Sequence, residues 1–85
     1  MKQYIIKVEG MRCGMCESHV NDVVRKVNGV LKVKSSHSKM ETEVICEDNV
    51  SFDSIKENIT KEGYTVQGFQ ENKVEKGLFG YKVVK

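Results

Sequence analysis

Cys13 and Cys16 stand three residues apart in "GMRCGMCESHV", residues 10 to 20. Two thiols at that spacing can meet on one metal ion or on each other, so the pair can chelate or do redox chemistry. Ligand number separates the metals. Two thiolates with no evident third and fourth partner suit a soft ion that accepts low coordination, above all Cu(I). Structural zinc asks for four ligands, and the chain offers neither a second C-x-x-C nor paired histidines. His19, one helical turn beyond Cys16, is the nearest further candidate donor; the other reading makes it a polar helix-surface residue. His37 falls in a polar turn and reads as solvated. Cys46 takes an inward position in "TEVICE" and reads as a buried structural thiol rather than a ligand.

The elements that must hold the pair are legible on either side of it. In "QYIIKVE" Tyr4, Ile6 and Val8 alternate with Ile5, Lys7 and Glu9, which predicts a strand ending just before the cysteines. Beyond them Cys16, Val20, Val23, Val24 and Val27 recur at helical spacing, with Gly29 as a stop signal. Valine is a poor helix former, so packing of this face must hold the helix. Cys13 then lies in the loop and Cys16 in the first helical turn. Unpaired amides and the helix dipole favour thiolate over thiol there.

The rest of the chain repeats the plan. "VLKVKSS" reads as a second strand with Leu31 and Val33 on one face, and "HSKMET" as a hairpin connection. "TEVICE" gives a third strand, with Val44 and Cys46 sharing a face. Ser51 is a plausible N-cap for a second helix whose buried stripe is Phe52, Ile55 and Ile59. Gly63 closes that helix and "YTVQGF" supplies a fourth strand. The order β-α-β-β-α-β over residues 1–71 fits an α+β ferredoxin-like sandwich, an antiparallel sheet with both helices on one face. Residues 72–85, "NKVEKGLFGYKVVK", form a short C-terminal extension outside that plan. Leu78, Phe79, Tyr81 and Val83 are too apolar for a freely solvated tail. An edge strand or a segment docked on the open sheet face is expected.

Composition bounds the function. At 85 residues the chain makes one domain, with a balance of apolar and charged residues ordinary for a soluble globular protein. Fourteen basic residues against twelve acidic ones give a net charge of +2, too even for a nucleic-acid binder. The aromatic stacking platform that RNA-binding ferredoxin-like domains carry on their central strands is also missing. The opening "MKQYIIKVEG" lacks the apolar run of a signal peptide, and no stretch approaches the roughly 20 apolar residues of a membrane span. A cytoplasmic protein without membrane insertion is expected. Three cysteines, an odd number, do not suggest a disulfide framework.

"GMRCGMC" resembles the G-M-x-C-x-x-C signature of the heavy-metal-associated domain family. That family includes Atx1-like and bacterial copper chaperones and the N-terminal modules of copper-pumping P-type ATPases. The resemblance spans roughly residues 3 to 70 in element order. It implies Cys13 and Cys16 as Cu(I) ligands and Met11 as a buried support beneath the loop. "EGY" resembles the family's loop before the last strand, which makes Tyr64 a candidate neighbour of the metal. Met15, between the cysteines, departs from the small or polar residue more usual there.

The resulting expectation is a cytosolic Cu(I) chaperone without enzymatic activity. It would pass copper by thiolate exchange to the metal-binding domain of a copper-transporting P-type ATPase. A metal-bridged homodimer is the alternative assembly. Two other functions share the site: a metal-sensing regulatory module, and carriage of Hg(II), Cd(II) or Zn(II). A C-x-x-C thiol–disulfide oxidoreductase is the rival from another class. Thioredoxin-like enzymes place a cis-proline opposite their cysteines, and this chain has no proline.

Overall fold

The computed structural model describes residues 1–77 and 80–84. Its elements follow in the order β1 (Lys2–Glu9), α1 (Gly14–Arg25), β2 (Val30–Ser36), β3 (Glu41–Cys46), α2 (Phe52–Lys61), β4 (Thr65–Gly77) and β5 (Gly80–Val84). The strands form one sheet in the spatial order β2-β3-β1-β4-β5, with every neighbouring pair antiparallel. The first four strands and two helices are the expected ferredoxin-like sandwich.

Alternation in β1 turns Tyr4, Ile6 and Val8 to one face, where all three are buried. Val20, Val23 and Val24 of α1 and Ile55 and Ile59 of α2 close over that face. Val33, Val44 and Cys46 complete the same core, so both helices lie on one side of the sheet. The valine-rich α1 is therefore held by burial, as its weak propensity demands. A buried polar contact fixes its position further. Ser35 Oγ donates to Asn21 Oδ1 at 2.6 Å, which leaves the Thr42 hydroxyl to donate to Ser35 at 3.0 Å. Helix α2 starts as predicted, with Ser51 Oγ accepting from the Asp53 amide at 3.1 Å. Gly63, at φ +93°, turns the chain out of it.

Three local expectations need adjustment. Helix α1 ends at Arg25, before Gly29, which instead makes the turn into β2 at φ +94°. A Cβ on Gly29 would sit 2.6 Å from Val50 Cγ2. Gly29→Ala should therefore destabilise the fold by more than about 1 kcal/mol in urea unfolding. Second, Leu31 does not share the buried face of Val33. The β2–β3 register slips between Val30 and Lys32, so Leu31 is the extra residue of a bulge and stays exposed.

Third, the last strand of the sandwich is longer than "YTVQGF". It runs to Gly77, so the boundary expected between residues 71 and 72 falls inside β4. The chain then returns as β5, an edge strand that pairs Lys73 with Val84 and Gly77 with Gly80. Tyr81 and Val83 belong to this strand, while Leu78 and Phe79 lie outside the described residues.

Candidate metal centre

Strand β1 ends at Glu9, and the four residues from Gly10 to Cys13 carry the chain to α1. Met11 points inward. It is 6% exposed and packs into the core beneath the loop. Gly10 adopts φ +104°, and a Cβ there would meet the Tyr64 ring at 3.3 Å. The loop thus passes close to the turn that precedes β4.

Cys13 is the N-cap of α1, with extended backbone and no side-chain capping bond. Its carbonyl accepts from the Glu17 amide at 3.2 Å, so the helix is closed through the backbone and the exposed thiol stays available. Cys16 is the third helical residue, half-buried against the core. A hydrogen bond to the Arg12 backbone holds the Cys16 thiol below its ordinary pKa. The Tyr64 hydroxyl and the backbone and thiol of Cys13 add to that effect, against the opposing effect of burial. The thiolate is the form that binds metal.

Tyr64 packs on the core edge, and burial followed by its bond to Cys16 raises its phenol pKa. Its hydroxyl also lies 3.3 Å from His19 Nδ1, with the two rings edge to face at 5.8 Å between centroids. His19 Nε2 lies 3.1 Å from Glu62 Oε1. The structure therefore brings Cys13, Cys16, Met11, Tyr64 and His19 together at one end of the sheet. Cys46 lies apart from them, wholly buried in β3, and burial pushes its thiol pKa up. Among the described residues, no group of three or more His, Cys, Asp or Glu side chains is gathered as a metal cage.

Two contacts escaped sequence reasoning. His37 is held rather than freely solvated. Its backbone amide and Nδ1 both reach Glu17 Oε2 at 2.7 Å, which ties the first turn of α1 to the β2–β3 turn. The Glu17 carboxyl lies below the usual carboxylate range, first because of the amide bond and then because of the ring. The second is Glu62, which meets His19 across 43 residues of sequence. Neither pairing leaves a local spacing signal, because each depends on how a turn returns to α1. Met15, by contrast, makes no such contact and stands 82% exposed between the cysteines.

A C-x-x-C pair at the strand–helix junction of an antiparallel, one-side-covered sheet places the molecule among small ferredoxin-like metal-binding domains. Residues 5–65 match the model of the heavy-metal-associated domain, and the chain belongs to that family. A copper chaperone CopZ of Staphylococcus epidermidis is 38% identical over 68 residues, covering 79% of this chain and all of that protein. A copper-transporting ATPase of Saccharomyces cerevisiae is 36% identical over 64 residues, which are 75% of this chain but 6% of the ATPase. The solved structure of a CopZ metallochaperone superposes with a TM-score of 0.73 at 32% identity. That match covers 75% of this chain and 97% of the other.

Proposed function

We propose that this chain is a soft-metal carrier that holds one Cu(I) between the thiolates of Cys13 and Cys16. It hands the ion on without performing catalysis. The observation that carries this reading is the pair itself: one exposed thiol at a helix start and one half-buried thiol biased towards thiolate. Two soft donors without a third suit Cu(I) in near-linear coordination, with a third position open. An incoming thiolate adds there, giving a three-coordinate bridge. One of the original Cu–S bonds then breaks, and a second such exchange completes the transfer. The ion is never free, and each bond lost is replaced by one of the same kind.

The acceptor in this reading is a domain bearing the same motif on a copper-transporting P-type ATPase. Its support is the kinship with both CopZ and an ATPase segment. The site of action in this reading is the cytoplasm, supported by the kinship with CopZ chaperones. Anaerobic titration of the reduced protein against a Cu(I) chelator, with Zn(II) in parallel, tests the proposal. One Cu(I) per chain, bound far more tightly than Zn(II), is expected. Weak or non-stoichiometric Cu(I) binding, or catalytic disulfide reduction above a Cys13→Ser control, would refute it.

Thiol reactivity gives a pH-resolved check. A thiol whose pKa is depressed ionises at lower pH, so Cys16 should alkylate at pH values below the ordinary thiol pKa of about 8.5. The same depression stabilises the metal-free fold above the ordinary pKa, and that contribution is lost as pH falls through the Cys16 value. Cys46, buried and shifted upward, should stay unmodified until the protein unfolds. Mass spectrometry after timed iodoacetamide treatment separates the two. Stoichiometric Cu(I) should protect Cys13 and Cys16 together.

A further inference from the structure

The turn between β2 and β3 touches both stems of the cysteine loop. On the strand side the Val8 amide donates to the Met40 carbonyl at 2.9 Å, shortly before the loop begins at Gly10. On the helix side the His37 amide donates to Glu17 Oε2 at 2.7 Å, next to Cys16 in the chain. His37 Nδ1 reaches the same oxygen at 2.7 Å. A carboxylate only accepts, so Nδ1 carries a proton and this contact is a second donation. Glu17 is itself bonded into the site, its amide donating to the Cys13 carbonyl at 3.2 Å. One residue thus links the backbone of Cys13 to a turn that is pinned to β1. Met40 takes φ +53° in that turn, a left-handed conformation uncommon for a residue with a side chain, which persists only where the surroundings enforce it.

We propose that His37 is a positioning residue for the Cys13–Cys16 site, holding the first turn of α1 in place through Glu17 before the metal arrives. The proposal rests on the carrier reading above. The first turn is the part of a helix most ready to fray, because its amides lack partners within the helix. Cys13 caps α1 without a side-chain bond, and beyond the half-buried Cys16 the core packing of α1 begins only at Val20. The two bonds from His37 to Glu17 supply the anchor that packing does not. Without them the turn samples frayed conformations in which the thiols part, and an incoming ion must re-order it at a cost in affinity. His37 thus acts through Glu17 and is not itself a ligand.

Chelator competition with the full chain reads the effect on Cu(I). His37→Ala should weaken binding by about two- to tenfold, the effect of one hydrogen bond, with one metal per chain retained. His37→Asn should restore affinity, because its side-chain amide offers a donor close to where Nδ1 stood. In a Glu17→Ala background His37→Ala should have no further effect. Amide hydrogen exchange by NMR supplies a readout that a general loss of stability would not reproduce. In the metal-free protein His37→Ala should speed exchange at the Glu17 amide and leave Val23 and Val24 of the same helix unchanged. Cu(I) should remove that difference, since the ion then ties the two cysteines together. Affinity unchanged in His37→Ala, failure of Asn to restore it, equal losses with and without Glu17, or unaltered Glu17 exchange would each overturn the proposal. Failure of the wild-type chain to bind Cu(I) would instead sink the carrier reading, and exchange at Glu17 in the metal-free variants would still decide whether His37 holds the turn.

Discussion

Cys13→Ser or Cys16→Ser should abolish tight Cu(I) binding, whereas Cys46→Ser should leave one metal per chain. Each of the first two changes removes half of the two-donor set proposed for the ion. The serine oxygen is a hard donor that does not replace a soft thiolate. Among the described residues no third His, Cys, Asp or Glu side chain completes a cage with the pair. The loss should therefore exceed the roughly 100-fold that removing a supporting outer partner of a metal ligand can cost. Cys46 is the internal control. It is fully buried in β3 and packed within the core, so its substitution should register in stability rather than in metal stoichiometry. Chelator competition on the three variants, each checked for folding by circular dichroism, reads the contrast directly. Retained affinity in Cys13→Ser, or lost affinity in Cys46→Ser, would move the site elsewhere.

The second large effect is expected at Met11, a loop residue by position and a core residue by burial. Met11→Ser removes most of a buried side chain and leaves a hydroxyl in an apolar setting. A cost of about 2–5 kcal/mol follows from the lost transfer energy and the cavity. At roughly 0.05–0.15 kcal/mol per residue, a domain of 85 residues holds about 4–13 kcal/mol in all. The substitution therefore removes a large fraction of total stability. It also frees the Gly10–Cys13 segment from its anchor, so metal affinity should fall with it. Met11→Leu keeps volume and apolarity and should cost less than about 1.5 kcal/mol with Cu(I) binding intact. Urea unfolding monitored by circular dichroism distinguishes the pair. A thioether signal in the Cu(I) X-ray absorption spectrum would make Met11 a ligand instead of a support.

Much of this architecture was legible in the residues because burial enforces pattern. Alternation at Tyr4, Ile6 and Val8 and the helical stripe of Val20, Val23 and Val24 place the strand and helix whose junction carries the thiols. Ser51 announces α2 through its own hydrogen bond. The pattern weakens where register or turn geometry decides. Leu31 looks inward on a strict period of two, but one inserted residue in β2 turns it out. Gly29 looks like a helix stop, yet its left-handed backbone serves a turn four residues past the last helical one. The site shows the same division. The cysteines declare themselves by type and spacing. The Glu62–His19–Tyr64 run is assembled by the α2–β4 connection returning to α1, and no periodicity encodes it.

The strand registers also fix where the chain can be attached to something else. Strand β1 runs from Lys2 to Glu9 and leads directly into the cysteine loop, so Met1 lies at the sheet end away from the thiols. In β4, Thr65 pairs with Glu9 and Lys73 with Lys2, and β5 brings Val84 back beside Lys73. Met1 and Val84 therefore sit at the same end of the sheet, separated from Cys13 and Cys16 by about the length of β1, on the order of 25 Å. A tether at either position, whether an affinity tag, a sensor surface or a fused fluorophore, projects away from the thiols and leaves them facing solution. Immobilised protein should thus exchange metal with a soluble acceptor as readily as free protein does.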